Sequence, residues 1–271
     1  MNLDGKDLLM EEPVLYQIRG AVATVIINRP DQRNALDAAT KALLRQRLEQ
    51  AAYGDSIRAV VLTGAGPAFC VGQDLGEHAQ ALAADPATAF DTVDEDYNPL
   101  ITLLTTMPKP VVAAVNGTCV GAGLGLALAC DLRVISSAAK LGTAFSGIGL
   151  TCDSGLSVTL VRAVGQARAA QLMLLGSIFT ADEAVGWGIS GIIADPAKTL
   201  EAAVEVAEGL AAGPTRAFAE TKALLSAAPT STVAQALAAE SAAQHRLGLT
   251  RDHLNAVTAF LRKEQPTFSG A

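Results

Sequence analysis

The chain has 271 residues, enough for one large domain or a domain with an appendage, and 50% of them are hydrophobic, so a sizeable core can be buried. The formal net charge is −7 with no dense Lys/Arg stripe, which argues against a nucleic-acid partner. Long apolar runs such as Val111–Val115 and Leu124–Cys130 are far too short to span a bilayer, and Met1 to Glu12 lacks the basic-then-apolar pattern of a signal peptide. No membrane partner and a cytoplasmic location are therefore expected.

In chain order, Val14–Ile18 and Ala21–Ile27 read as two strands joined at Gly20, and Asn28-Arg29-Pro30-Asp31 ends the run. Between Asp37 and Tyr53, Leu43, Leu44 and Leu48 recur at helical spacing, with Gly54 as a stop. Arg58–Thr63 is a short β-branched run, suited to a buried strand, and ends at Gly64-Ala65-Gly66. Val111–Val115 is a second such run, leading into Asn116-Gly117, and Leu132–Ile135 is a third. Apolar strands alternating with helical stretches predict an α/β fold with mainly parallel pairing. Beyond Thr180 the pattern changes to successive Ala-rich helices: Ala181–Gly186, Thr199–Ala212, Pro214–Ala227 and Ser231–Leu247, then Asp252–Lys263. Their apolar faces need cover, which points to oligomerisation.

Four cysteines (Cys70, Cys119, Cys130, Cys152) sit in apolar or Gly-rich surroundings, without zinc-type spacing to His78, His245 or His253. They read as buried free thiols, and no metal is expected. The chemistry lies instead in two Gly-rich turns that each follow a strand: Gly64 to Leu75 (GAGPAFCVGQDL) and Asn116 to Asp131 (NGTCVGAGLGLALACD). Small residues let another group approach the backbone, and the second turn opens an apolar helix whose first N–H groups are free to face negative charge. Either turn alone reads as simple packing, and neither has the position or downstream acid of a dinucleotide site.

Both turns, their order and their flanks resemble the crotonase (enoyl-CoA hydratase/isomerase) family. The shared flanks are Asn28-Arg29-Pro30 with Asn34-Ala35-Leu36, Lys109 to Gly117, Ala127 to Arg133, Ile148-Gly149-Leu150, Leu160 to Gly165, Ala181-Asp182-Glu183-Ala184 and Trp187-Gly188-Ile189. The resemblance covers about Val14 to Phe268. It implies a crotonase-like spiral of ββα units over residues 1–205 and a C-terminal helical trimerisation region over 206–271, as a homotrimer or a dimer of trimers. It implies an acyl-CoA thioester as ligand, with coenzyme A entering as part of the substrate and no other cofactor. By position, the amides of Gln73 and Ala122 become the two donors of an oxyanion hole. Asp74, Leu75 and Gly76 line the same stretch, Ala68 falls near the coenzyme's amide or adenine end, and Arg33 and Ala35 fall along the coenzyme path. Arg262 and Lys263 become candidates for phosphate contacts, against the plain reading of cations at a helix C-terminus.

Hydratases of the family carry two glutamates, at positions that align here with Gly125 and Phe145. Neither transfers a proton, so hydration by a glutamate pair is not expected. Asp153, in Ile148-Gly149-Leu150-Thr151-Cys152-Asp153-Ser154-Gly155, reads on its own as a turn or N-cap residue. The resemblance makes it the single acid/base of family members that shift double bonds. Three readings stand: an isomerase using Asp153, a hydratase with substitutes for the missing glutamates, and a catalytically silent acyl-CoA-binding protein. Nucleophilic substitution through Asp153 ranks below these, because no histidine follows His78 before His245. Asp91, Asp94, Glu95 and Asp96, with Glu77 and His78 before them, read as a solvated acidic loop, from which Tyr97 reaches an acyl group only if the loop folds inward.

Overall fold

The computed structural model describes residues 12–271. The leader-free reading of Met1 to Glu12 falls almost wholly on residues 1–11, outside the described residues.

Two sheets stack along the chain. The larger has strands β1 (Val14–Arg19), β2 (Val22–Ile27), β3 (Ala59–Gly64), β5 (Val111–Val115), β7 (Leu132–Ser136) and β10 (Ile192–Ala194), in the order β1-β2-β3-β5-β7-β10. Within this sheet only the β1/β2 pair is antiparallel among the described residues. The smaller sheet is built of three-residue strands β4 (Ala68–Cys70), β6 (Thr118–Val120), β8 (Lys140–Gly142) and β9 (Ile178–Thr180), in that order. Thus β3, β5 and β7 each continue through a turn into β4, β6 and β8. This repeated step from large sheet to small sheet makes the spiral, and it brings the two Gly-rich turns side by side.

The helices are α1 (Ala38–Tyr53), α2 (Leu75–Ala84), α3 (Asn98–Thr106), α4 (Ala122–Ala129), α5 (Leu156–Leu175), α6 (Ala181–Trp187), α7 (Thr199–Ala211), α8 (Thr215–Ala227), α9 (Val233–Gly248) and α10 (Arg251–Arg262). Asp37 caps α1 by accepting from the Thr40 amide, and a Thr180–Glu183 capping box opens α6. Within α5 the chain bends at Gly165 (φ 76°, ψ 161°) and then resumes as helix to Leu175.

Why the strands read as unbroken apolar runs is now plain: both faces of the large sheet are covered. Val60, Leu62, Val111, Ala113 and Val115 face the main core with α1, α3, α4 and α5. Their neighbours Ala59, Val61, Val112 and Ala114 face Ala203, Ala207 and Ala211 of α7, whose small side chains let the helix lie close on the sheet. Residue 205 therefore falls inside a sheet-packed helix. Beyond it, Lys222 of α8 pairs with Asp131 at 2.8 Å, and the tail returns to the core, with Phe268 O accepting from Arg58 and the Ser269 and Gly270 amides donating to buried Asp252. Among the described residues no helix is long and apolar enough to cross a membrane.

Candidate active site

The first Gly-rich turn is pinned from its upstream flank. Leu36 N donates to Gly72 O at 2.8 Å, and Asp74 N donates to Leu36 O at 3.0 Å. Because backbone groups alternate sides along an extended segment, the Gln73 N–H between them faces away from Leu36. The second turn closes against it. A methyl group added at Gly72 (φ 87°) would lie 3.2 Å from Ala122 N, and one added at Gly123 would lie 2.2 Å from Cys70 O. Glycine at these two positions is what lets the turns touch. Ala122 is the first residue of α4, where an N–H has no intrahelical acceptor. Among the described residues, neither the Gln73 nor the Ala122 N–H donates to another group.

Both residues line a cavity of about 120 Å3, together with Leu75, Phe145 and Asp153. These are five of the residues singled out from the sequence, drawn from segments far apart in the chain. Asp153 is the sole carboxylate among the lining residues. It is half-buried, and its Oδ1 accepts from the Ser154 hydroxyl at 2.8 Å. Burial pushes its carboxyl above the usual carboxylate range, and the Ser154 hydroxyl partly offsets this. Ser154 is itself buried, in the left-handed region at φ 52°.

The remaining candidates lie outside the cavity lining. The Asp74 carboxylate accepts from the Gly76 and Glu77 amides, capping α2, and pairs with Arg29 at 2.9 Å. Gly76 is exposed in the first turn of α2, and Arg33 is exposed at φ 54° after a short 3-10 turn. Ala35 O accepts from Arg29, and buried Ala68 O accepts from Asn34 and Asn116. Gly125 is buried in α4 under the Asp153 loop: an added Cβ would meet Ser154 Cβ at 2.4 Å and Ser154 O at 2.9 Å. The position at which hydratases carry a glutamate is thus sterically closed here. Arg262 and Lys263 are exposed at the end of α10.

The segment read as an acidic loop is a correction. Much of it is helical: α2 comes first, and a π-helical turn, Val93–Tyr97, runs into α3. Asp91, Asp94 and Glu95 are exposed as expected, whereas Asp96 is half-buried and pairs with buried Lys41 at 3.2 Å. Lys41 also donates to Thr92 Oγ1, and at 3.4 Å to Gln73 Oε1, which accepts from Tyr97 OH at 2.5 Å as well. Tyr97 is buried against the cavity, and burial pushes its hydroxyl far above the ordinary range, with Cys70 and Asp153 adding to the shift. His78, read from the sequence as part of a solvated stretch, lines the cavity too, as do Phe90, Thr92 and Val93, which the sequence did not single out. The signal was present: Leu75 and His78 stand three apart, as on one helix face.

Cys70, Cys119 and Cys130 are buried and Cys152 is half-buried, all with free thiols; burial pushes Cys70 and Cys130 up to about 12, where they are inert.

Residues 17–271 match the family model described as "Enoyl-CoA hydratase/isomerase". The chain is 36% identical over 261 residues to the 1,2-epoxyphenylacetyl-CoA isomerase of Escherichia coli (strain K12), covering 96% of this chain and 100% of that one. A crystal structure from Mycobacterium abscessus superposes with a TM-score of 0.91 at 47% identity, covering 95% of this chain and all (100%) of the other. An enoyl-CoA hydratase structure from Bacillus anthracis gives a TM-score of 0.89 at 29% identity, covering 96% and 100%.

Proposed function

The chain belongs to the enoyl-CoA hydratase/isomerase, or crotonase, family and is an enzyme of it, and from that premise we propose that it binds an enoyl-coenzyme A thioester and shifts the double bond along its acyl chain. The thioester oxygen sits between the Gln73 and Ala122 amides at the positive end of α4. Asp153 removes a proton from the carbon next to the carbonyl of a 3-enoyl chain. The electron pair delocalises onto the oxygen and over the former double bond, and the same carboxyl returns the proton to carbon 4, giving the 2-enoyl product. Each donor of such a hole contributes ~3–4 kcal/mol to lowering the barrier. Burial, by raising the Asp153 pKa, helps it hold the proton between the two steps.

What carries this reading is the meeting, on one cavity, of two unpaired amides with a single carboxylate. Hydration is disfavoured, because it calls for a second proton-transfer group where Gly125 is packed on Ser154. The test compares product from a 3-enoyl-CoA with water addition to a 2-enoyl-CoA, for wild type and Asp153→Asn. Isomerisation lost in the variant, with acyl-CoA binding retained, supports the assignment; unchanged turnover rejects it. Binding without turnover by the wild type supports a silent acyl-CoA-binding protein.

A second reading gains from one observation. His78 lines the same cavity as Asp153 and makes no hydrogen bond among the described residues, apart from an edge contact with Phe90 at 5.1 Å. An imidazole there suits a base for water attacking the aspartyl carbonyl of an alkyl- or aryl-aspartyl ester, which forms when the Asp153 carboxylate displaces a leaving group such as halide from the acyl moiety. Incorporation of 18O into Asp153 during turnover distinguishes it from isomerisation.

The assembly proposed is a homotrimer or a dimer of trimers. Leu254, Val257 and Leu261 recur along one stripe of α10, and they, Phe260, Leu225 and Leu237 are all exposed in the single chain. Light scattering on the purified protein measures the mass directly. Arg262 and Lys263, exposed beside that stripe, are proposed to meet coenzyme phosphates, and a cytoplasmic location remains part of the proposal.

A further inference from the structure

The wall of the cavity that holds Gln73 is wired in one direction. The Lys41 ammonium, with its side chain 2% exposed, has only donors to offer. The Gln73 atom facing it is therefore the carbonyl oxygen, and Tyr97 OH donates to that same oxygen at 2.5 Å. Thr92 is also committed, since its oxygen accepts from Lys41 and its hydroxyl donates to Asp96 at 2.7 Å. With Oε1 held by two donors, Gln73 Nε2 points the other way. Among the described residues it has no partner, and the sole buried side-chain nitrogen or oxygen there without one is Arg47 Nε. Gln73 Nε2 therefore meets open space, and the open space beside Gln73 is the cavity.

We propose that the Gln73 carboxamide is a specificity-determining donor, and that the acyl chain taken by this site carries an oxygen acceptor that Nε2 engages. The inference rests on the acyl-CoA reading of the cavity and narrows its substrate class to oxygen-substituted acyl thioesters. An amide locked on its far side loses little freedom on binding, and water is the only competitor for its two N–H groups. Leu75, Phe90, Val93, Phe145, Ile148 and Leu150 supply apolar wall elsewhere. A chain oxygen is thus recognised at one point along the acyl group.

Saturated acyl-CoA thioesters, which have no double bond to move, isolate this step. Chain-length-matched pairs with and without a keto oxygen, the oxygen scanned along the chain, are titrated calorimetrically into the wild type, Gln73→Met and Gln73→Glu. The wild type is expected to bind the keto member roughly three- to tenfold more tightly at one chain position, the worth of one neutral hydrogen bond. Gln73→Met removes the preference. The near-isosteric Gln73→Glu reverses it, since a carboxylate oxygen then faces the keto group. Equal affinity for the pairs in the wild type, or a preference retained in Gln73→Met, overturns the proposal while leaving acyl-CoA binding intact. Failure of every chain to bind overturns the acyl-CoA reading itself and the proposal with it.

Discussion

Gly125→Ala is the sharpest test of how the site is built. The added Cβ would lie 2.4 Å from Ser154 Cβ, about 1 Å inside ordinary contact, which begins near 3.4 Å, and 2.9 Å from Ser154 O. Both obstacles belong to a buried residue, so nothing flexible swings aside. Two effects oppose each other. Replacing a mid-helix glycine of α4 by alanine favours the helix by about 1 kcal/mol, whereas overpacking a closed core site costs about 1–3 kcal/mol. An approach of 2.4 Å to an immobile residue selects the upper end of that cost, so the clash wins by about 2 kcal/mol, or roughly 4 °C in melting temperature for a chain of this size. The kinetic effect is larger. Relief requires Ser154 to move by about 1 Å, and Asp153 is covalently next to it. A shift of that size in a reacting group lowers turnover by about 100-fold. The assays are calorimetric melting and kcat on a 3-enoyl-CoA, with Gly125→Ala/Ser154→Gly as a partial rescue of stability, since glycine removes the contacted Cβ and suits φ 52°. A Gly125→Ala protein with wild-type melting and wild-type kcat would refute the packing of α4 against the Asp153 loop.

Three further outcomes are expected. Ser154→Ala removes a donor that favours the ionised form of Asp153, so the acid limb of kcat, already above that of an ordinary carboxylate, moves to still higher pH; a limb that stays or moves down contradicts the role of that 2.8 Å bond. Asp96→Ala leaves the Lys41 ammonium buried without its carboxylate and costs about 3 kcal/mol in urea unfolding, with Lys41→Met/Asp96→Ala less destabilised than Asp96→Ala alone. Asp252 is pushed up by burial but pulled further down by the Ser269 and Gly270 amides and the Ser269 hydroxyl, so its net pKa is lowered. A depressed carboxylate stabilises above its unfolded pKa and loses that contribution as pH falls through the folded one. Proteolytic protection of the C-terminal tail should therefore fade below the usual carboxylate range, and protection that persists there removes Asp252 as its anchor.

Much of this protein was legible in the chain itself. Runs such as Val111–Val115 with an Asn-Gly or Gly-rich exit mark buried strands, because alternate residues serve two covered faces and both must be apolar. The Gly-rich turns were readable because close backbone approach depends on residue type at a local position, whereas Asp153 read locally as a turn or cap residue and stood out only through the family resemblance. The three-residue strands of the small sheet were not legible, being too short to show a period and existing only by pairing with one another. Nor was the placement of residues 75–97, where acidic side chains suggested solvent while Leu75, His78, Phe90, Val93 and Tyr97 line the cavity. Only the tertiary structure set Ser154 against Gly125, Lys41 against Gln73 and His78 on the cavity of Asp153. Those relations depend on distances between segments 29 to 75 residues apart along the chain, or on which side of a helix faces inward, and both are settled by packing rather than by local preference.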